Sequence, residues 1–143
     1  MSLLVLDASV AIHWAIPSVP GPFTDPALRL LGQYVGRKVE FAVPDVFWAE
    51  VGNVLCKGVR QKRWRRVDAE EAVANLAAYN FDTVPSLLLL AEAVPIALNL
   101  GIALYDCLYL SLALQAKADL ITADERLANA LAARFPVKWL GAL

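Results

Sequence analysis

Short apolar runs alternate with longer amphipathic segments along this chain, a pattern typical of an α/β fold with a parallel sheet. The first run, 3–6, is unbroken and ends in Asp7, which favours a strand buried on both faces. Further strands are predicted at 40–44, 81–84 (a possible edge strand), 119–122 and 136–139. Helices are predicted between them, at 26–34, 46–62, 68–79, 86–101, 105–116 and 125–134.

Capping residues predict where several of these helices begin. Ser9 is a good N-cap for a helix that follows the first strand, and Asp25 precedes a proline at a favoured first position. Asp45 is predicted to cap the helix 46–62, and Asp68 with Glu71 resembles a capping box. Residues 17–22 are rich in proline and predict a loop.

The length and composition predict one domain, spanning residues 1–143, with an unusually high content of apolar residues. The chain has 143 residues, and 59% of them are hydrophobic, whereas typical domains are nearer about 45–50% apolar. The excess indicates either an additional buried interface, such as a dimer contact, or simply a helix-rich core with much alanine and leucine.

The net charge of −1 argues against a simple basic coat for nucleic acid, but the positive charge is unevenly distributed. A basic cluster holds 6 of the 13 Lys and Arg residues within ten positions. It is either a solvated helix end or a surface that binds the phosphates of a nucleic acid backbone. Trp64, inside it, either stacks on a base or packs on its own helix. The cluster consists of Lys57, Arg60, Lys62, Arg63, Arg65 and Arg66.

No targeting or membrane segment is expected. Met1 leads directly into the first strand without the basic region of a signal peptide. The most apolar stretch, 87–100, is interrupted by Glu92 and Pro95 and is shorter than the ~20 residues that cross a bilayer. Cys56 and Cys107 lack metal-ligand spacing and are interpreted as small buried hydrophobes. The sequence therefore predicts a cytoplasmic protein.

Four acidic residues lie where a solvated surface carboxylate is not expected. Asp7 and Asp124 follow predicted strands, Glu50 lies on the apolar stripe of a helix, and Asp106 begins a helix almost without charge. Taken singly, Asp7, Asp106 and Asp124 could be helix caps. Taken together, all four could point to one edge of a parallel sheet, where ligands bind in open α/β folds.

Such a group of carboxylates predicts a metal site. Two carboxylates about 4 Å apart repel each other by roughly 4 kcal/mol at an effective dielectric near 20. The cluster would therefore stay ionised only with bound cations, and oxygen-only ligands select Mg²⁺ or Mn²⁺. One or two such ions suit phosphodiester hydrolysis. Ser9 and Thr122 are suitable hydroxyls for holding the carboxylates or water.

These acids lie in four segments, LLVLDASVAIHW, VPDVFWAEVGNVL, GIALYDCLYLSLA and LITADERLANAL. Together the segments resemble the PIN-domain family, and within it the VapC-type toxins of toxin–antitoxin pairs. The resemblance implies a three-layer α/β/α sandwich with a central parallel sheet in strand order 3-2-1-4-5. It also implies a Mg²⁺- or Mn²⁺-dependent endoribonuclease with the catalytic and metal-binding acids Asp7, Glu50, Asp106 and Asp124. Further expectations are an RNA substrate, a homodimer and a VapB-type antitoxin that blocks the active-site groove.

Two other functions fit parts of the sequence. A PIN-like scaffold could serve only as a binding module for RNA or protein, although such proteins typically lose one or more of the acids. A phosphatase or receiver-type domain would use strand-end aspartates, but it needs a second acid directly after the first strand, which is absent beside Asp7, or a lysine at the end of the last strand. Lys138 is the single lysine candidate.

Overall fold

Five parallel strands form one sheet in the order β3-β2-β1-β4-β5, which confirms the predicted α/β class and strand order. The computed structural model describes residues 1–16 and 21–143. Strand β1 pairs with β2 on one side and with β4 on the other. The strands are β1 Ser2–Leu6, β2 Val39–Pro44, β3 Asp82–Val84, β4 Asp119–Thr122 and β5 Val137–Trp139.

Seven α-helices connect or flank the strands within the described residues. Six of them lie close to the predicted helices between residues 26 and 134, and the first follows the first strand, where Ser9 predicts a helix start. Short 3₁₀ turns occupy Ser86–Leu88 and Leu140–Ala142. The helices are α1 Ala8–Ala15, α2 Thr24–Val35, α3 Val46–Arg60, α4 Arg66–Ala78, α5 Leu90–Leu100, α6 Leu104–Ala116 and α7 Glu125–Leu131.

The connections place the helices in two layers. The chain leaves β1 for β2 and β3 in one direction, and it crosses back to β4 and β5 in the other. Because parallel crossovers are right-handed, helices α1–α4 lie on one face of the sheet and α5–α7 on the other. Helices α1 to α4 contact one another, and α5 packs against α6. The result is the predicted three-layer sandwich.

Aromatic side chains fill the core beneath the first helix layer. Phe41 on β2 is 2% exposed and stacks on Tyr34 with 4.8 Å between ring centroids. Phe81 packs edge-on against Phe41 and Phe47. Trp14 is 5% exposed and stacks on Phe41. Burial of these rings packs α1, α2 and α3 against β2. Because α3 follows β2 directly, its first turns lie near the carboxyl ends of β2 and of the neighbouring strand β1.

Several predicted helix starts are wrong in detail. Asp7, rather than Ser9, occupies the N-cap position of α1, and its side chain makes no capping bond. Helix α2 begins at Thr24, so Asp25 is in its first turn. Asp45 precedes α3 as predicted, but its carboxylate accepts from the Ser86 backbone N–H and hydroxyl instead of capping the helix. Tertiary neighbours compete with local capping for short acidic side chains.

The remaining differences concern α4, the cysteines and the proline-rich loop. Asp68 is the third residue of α4 and accepts from the Arg65 N–H, so it completes the capping box without being the cap. Cys56 is exposed, whereas Cys107 is buried as predicted. Cys56 lies on the outer face of α3. The predicted loop 17–22 falls largely outside the described residues.

Trp64 closes the turn between α3 and α4. Its Nε1 donates to the Leu55 carbonyl oxygen at 3.0 Å, and its ring covers Gly58. A Cβ at Gly58 would lie 2.0 Å from the indole, so only glycine permits this approach. Trp64 therefore packs against α3, the helix that it follows, in line with the packing interpretation of the sequence.

No helix within residues 1–16 and 21–143 combines the length and apolar character needed to cross a bilayer.

Candidate active site

The carboxyl edge of the sheet carries the four singled-out acids on four different elements. Strands β1 and β4 are neighbours, and the chain leaves them in opposite directions, so a topological switch point lies between their carboxyl ends. Asp7 follows β1 directly, and Asp124 follows β4 after one intervening residue. Helices α3 and α6 both begin at this edge, which brings Glu50 and Asp106 on their early turns above it.

Asp7 is buried and held by two hydroxyls. It is 8% exposed, and its Oδ2 accepts from Ser9 Oγ at 2.6 Å and from Thr122 Oγ1 at 2.7 Å. Ser9 Oγ accepts in turn from the Ala123 N–H, and Thr122 Oγ1 accepts from the Asp124 N–H, each at 3.0 Å. Because each hydroxyl receives a backbone proton, its own proton is directed to Asp7.

Asp124 combines a structural contact with a position at the site. Its Oδ1 accepts from the Leu127 N–H at 3.2 Å, which caps α7 as one interpretation predicted. The residue itself is exposed. Capping occupies one carboxylate oxygen, so the second oxygen remains available to the edge of the sheet.

Asp106 lies in the first turn of α6, whose N-cap position belongs to Ala103, so Asp106 is not a helix cap. It lines a cavity of about 360 Å³ together with Asp124 and Arg126. Asp106 is half-buried, and Arg126 is exposed. The cavity lies between the start of α6 and the start of α7, and both of its acids face it.

Glu50 reaches the site from the other helix layer. It is half-buried in the second turn of α3, and its Oε1 accepts from Tyr109 Oη at 2.8 Å. Tyr109 is 1% exposed and lies one turn after Asp106 on α6. This hydrogen bond joins α3 and α6 across the edge of the sheet.

Burial and mutual repulsion raise the pKa of three of these acids. Burial is the main cause of the raised pKa of Asp7, against which the Ser9 and Thr122 hydrogen bonds act. Burial first, then the charges of Asp7 and Asp106, raise the pKa of Glu50. Burial and the charges of Asp7 and Asp124 raise the pKa of Asp106 to about 6. Each of the four carboxylates therefore lies within electrostatic range of at least two of the others.

The chemistry of this cluster fits a hard divalent cation, although its present arrangement does not form a closed ligand set. Among residues 1–16 and 21–143, no three His, Cys, Asp or Glu side chains converge closely enough to hold an ion. The acids that sequence reasoning singled out nevertheless share one edge, and the raised pKa values of Asp7, Glu50 and Asp106 show that these three are penalised when ionised. A bound cation would remove that penalty, because it neutralises the repulsion.

A larger cavity, of about 700 Å³, lies at the opposite edge of the sheet. It is lined by the starts of β1 and β4, and its single acid, Asp119, pairs with Lys138 at 3.0 Å. It therefore lacks the cluster of carboxylates that distinguishes the carboxyl edge.

Comparison with known proteins identifies the family. The PIN domain profile matches residues 4–131, which is most of the chain. The chain belongs to the PIN-domain family. This is a family of nucleases. Comparison with curated proteins yields no match.

Solved structures share the fold of this PIN domain at low sequence identity. PAE2754 from Pyrobaculum aerophilum superimposes with a TM-score of 0.73 at 19% identity, covering 99% of this chain and 85% of that one. VapBC2 from Rickettsia felis, bound to a DNA fragment from its promoter, gives 0.64 at 12% identity, covering 96% and 98%. A toxin–antitoxin complex from Klebsiella pneumoniae gives 0.63 at 18% identity, covering 94% and 95%.

The basic cluster of this PIN domain is divided by its ion pairs. Arg65 pairs with Asp68, and Arg66 pairs with Glu70. Arg63 lies over the Trp64 ring at 4.8 Å. The other three members of the cluster are exposed and have no ion pair among the described residues. These three are Lys57, Arg60 and Lys62.

Two residues at the site were not singled out from the sequence. Tyr109 sits in the apolar stretch of α6, where an aromatic side chain is usually core, and Arg126 lies among the polar residues of α7. The signal for Tyr109 was its spacing of three residues from Asp106, which places both on one helix face. Nothing in the sequence distinguishes Arg126 from an ordinary surface arginine.

Proposed function

We propose that this PIN domain is a Mg²⁺- or Mn²⁺-dependent endoribonuclease that acts as the toxin of a VapBC-type toxin–antitoxin pair. The observation that carries the proposal is the gathering of Asp7, Glu50, Asp106 and Asp124 at one sheet edge, with three of their pKa values raised. Membership of a nuclease family supports hydrolysis of a phosphodiester bond. The toxin–antitoxin complexes among structures of the same fold support the choice of system.

Each acid has a role in this proposal. Asp7, Glu50 and Asp106 would hold a first cation, and Asp124 would complete its ligands or help to hold a second. A divalent ion in this position supplies Lewis-acid chemistry for phosphodiester hydrolysis. Ser9 and Thr122 fix the Asp7 carboxylate, since both donate to its Oδ2. A carboxylate held by packed hydroxyls needs little reorganisation when a ligand arrives.

The proposed RNA contact lies on the exposed part of the basic cluster. Lys57, Arg60 and Lys62 extend from the end of α3, the helix that carries Glu50 near its start. Phosphates of a bound strand would therefore follow α3 away from the carboxylates. The ion pairs of Arg65 and Arg66 reduce the positive charge that these two residues offer to RNA.

A homodimer is proposed through the outer surface of α5 and the turn before it. Leu87 and Leu98 are each 79% exposed, Leu88 is 64% exposed and Val94 is 41% exposed. The segment 86–101 carries one charged residue, Glu92. A surface with so little charge suits a second copy of the same chain, because two such surfaces bury each other with few unpaired charges.

The proposed partner at the active-site groove is a VapB-type antitoxin. An inhibitor that places a basic side chain among the four acids would neutralise them much as a cation does. Co-purification of a small partner with the wild-type protein, and release of nuclease activity when that partner is removed, tests this part of the proposal. A partner that binds without reducing cleavage would contradict it.

The catalytic proposal is tested by RNA cleavage in matched variants. Wild-type protein is incubated with total cellular RNA, with Mg²⁺ or with EDTA, and the new ends are mapped. We expect cleavage by the wild type that depends on Mg²⁺ or Mn²⁺, and a loss of at least ~100-fold for Asp7→Asn. Asp82→Asn, an exposed position on β3, is the control and should cut at the wild-type rate.

The competing function is a catalytically silent binding module, which is favoured by the absence of a closed ligand set among the described residues. It predicts no metal-dependent cleavage by any of the three proteins. Cleavage by Asp7→Asn at the wild-type rate would also contradict the assigned site.

A further inference from the structure

Tyr109 is a buried phenol whose hydroxyl meets a candidate metal ligand. Its side chain is 1% exposed, and its Oη lies 2.8 Å from Glu50 Oε1. A buried tyrosine hydroxyl normally requires a hydrogen-bond partner. The partner here is a carboxylate of the proposed active site rather than a backbone carbonyl. The contact therefore links a core side chain to the chemistry of the site.

Glu50 depends on this contact for its orientation. Its long side chain has several rotatable bonds, and it projects from α3 on a half-buried surface. Among the described residues, the Tyr109 hydroxyl is the hydrogen-bond donor that reaches the Glu50 carboxylate. Asp7 differs, because two hydroxyls hold it. Without Tyr109, Glu50 would be free to populate rotamers directed at solvent.

The contact also couples the two helix layers. Tyr109 and Asp106 lie three residues apart on α6, whereas Glu50 belongs to α3 on the other face of the sheet. One helix therefore supplies an acid to the site and also holds an acid supplied by the opposite layer. The hydrogen bond from Tyr109 to Glu50 therefore helps packing to set the separation between Glu50 and Asp106.

We propose that Tyr109 is a positioning residue for cation binding: its hydroxyl holds the Glu50 carboxylate in place beside Asp7 and Asp106, ready to bind a divalent ion. This rests on the proposed function of the same site. Groups that orient a ligand through a hydrogen bond commonly change metal affinity by about 10–100-fold when they are removed.

The test is Mn²⁺ affinity, measured by isothermal titration calorimetry at pH 8, which is above the pKa of about 6 of Asp106. Tyr109→Phe keeps the ring and removes the hydroxyl. Tyr105→Phe is the control, since Tyr105 is on the same helix and 60% exposed. We expect Tyr109→Phe to bind Mn²⁺ about 10-fold more weakly than the wild type, and Tyr105→Phe to bind it equally well.

A second pair of variants separates positioning from a general packing effect. In a Glu50→Ala background, Tyr109→Phe should cause no further loss of affinity, because the residue that it positions is gone. An equal loss in both backgrounds, or wild-type affinity in Tyr109→Phe alone, would overturn the inference and leave the proposed function intact. Failure of the wild type to bind Mn²⁺ would overturn both.

Discussion

At the residue scale, the acids of the site are costly to the fold. Burial and the neighbouring carboxylates raise the pKa of Asp106 to about 6, from an ordinary value of 3.8. Between these two values the folded protein binds more protons than the unfolded chain does. The contribution of Asp106 to the free energy of unfolding therefore falls as the pH rises through this interval, and it levels off above it.

The pH dependence of stability without metal tests this cost. The free energy of unfolding is measured by urea unfolding in EDTA at pH 4.5 and at pH 7. It should fall less between these pH values in Asp106→Asn than in the wild type, because asparagine does not ionise. Comparing the two proteins cancels the opposite contributions of Asp45 and Asp68, whose pKa values are lowered by their hydrogen bonds. An identical pH dependence in both proteins would contradict the electrostatic account.

At the scale of the element, helix α3 carries two glycines with different roles. At Gly58 an added Cβ would meet the Trp64 indole at 2.0 Å, whereas at Gly52 it would meet nothing within 4 Å. Gly58→Ala should therefore lower the free energy of unfolding by about 1–3 kcal/mol through overpacking. Gly52→Ala should raise it by roughly 0.5–1 kcal/mol, as alanine favours a helix interior. Denaturant unfolding measures both, and equal effects would contradict the packing of Trp64.

The end of the same helix provides a test of RNA binding. The double variant Lys57→Gln with Arg60→Gln should weaken RNA binding and reduce the slope of log affinity against log salt by about 0.7 for each phosphate that is no longer neutralised. The matched double variant Arg65→Gln with Arg66→Gln should do less, because Asp68 and Glu70 already neutralise those arginines. A larger effect from the second pair would place the RNA elsewhere on the cluster.

Strands and helices could be predicted from the sequence more completely than the bonds at their ends. Unbroken apolar runs such as Leu3–Leu6 have few alternatives to a buried parallel strand, and β4 was predicted at 119–122, as observed. Helix caps were harder, because a short acidic side chain chooses among local and distant donors. Asp45 prefers Ser86, which is remote in sequence and invisible to a local pattern.

For the candidate site as well, positions set by strands and helices could be predicted from the sequence, whereas contacts set by tertiary structure could not. Asp7 and Asp124 could be placed from the sequence, since strand ends of a parallel sheet meet at one edge. Glu50 was recognisable as an acid on an apolar helix stripe. The spacing of Tyr109 from Asp106 could not by itself separate Tyr109 from core aromatics, because its role depends on α6 lying across the sheet from α3. Its contact is a product of tertiary structure.

At the scale of the whole molecule, part of the excess of hydrophobic residues in the composition is found on the protein surface. Part of it is exposed around α5, where Leu87 and Leu98 are each 79% exposed. Light scattering after size exclusion should give the wild type twice the mass of one chain. Leu98→Glu should give a monomer, because it buries an unpaired charge in the interface. Val73→Glu, an exposed position on α4, should remain dimeric, and a dimer of Leu98→Glu would place the interface elsewhere.

The whole molecule also explains why the acids tolerate one another. The four acids follow β1 and β4 or lie on α3 and α6, and these elements meet at one edge of the sheet. The packing of the fold therefore keeps the four carboxylates near one another despite their repulsion. A cation that binds the folded state alone stabilises it, by about 2.7 kcal/mol at 100 times its dissociation constant. Binding of the proposed cation would therefore be thermodynamically linked to folding.

The most direct measurement of this account is the melting temperature of the metal-free protein as Mn²⁺ is added. We expect it to rise by several degrees for the wild type and for Asp82→Asn, and to stay constant for Asp7→Asn, whose carboxylate lies in the centre of the cluster. A constant melting temperature in the wild type, or an equal rise in Asp7→Asn, would contradict a cation site built on these four acids.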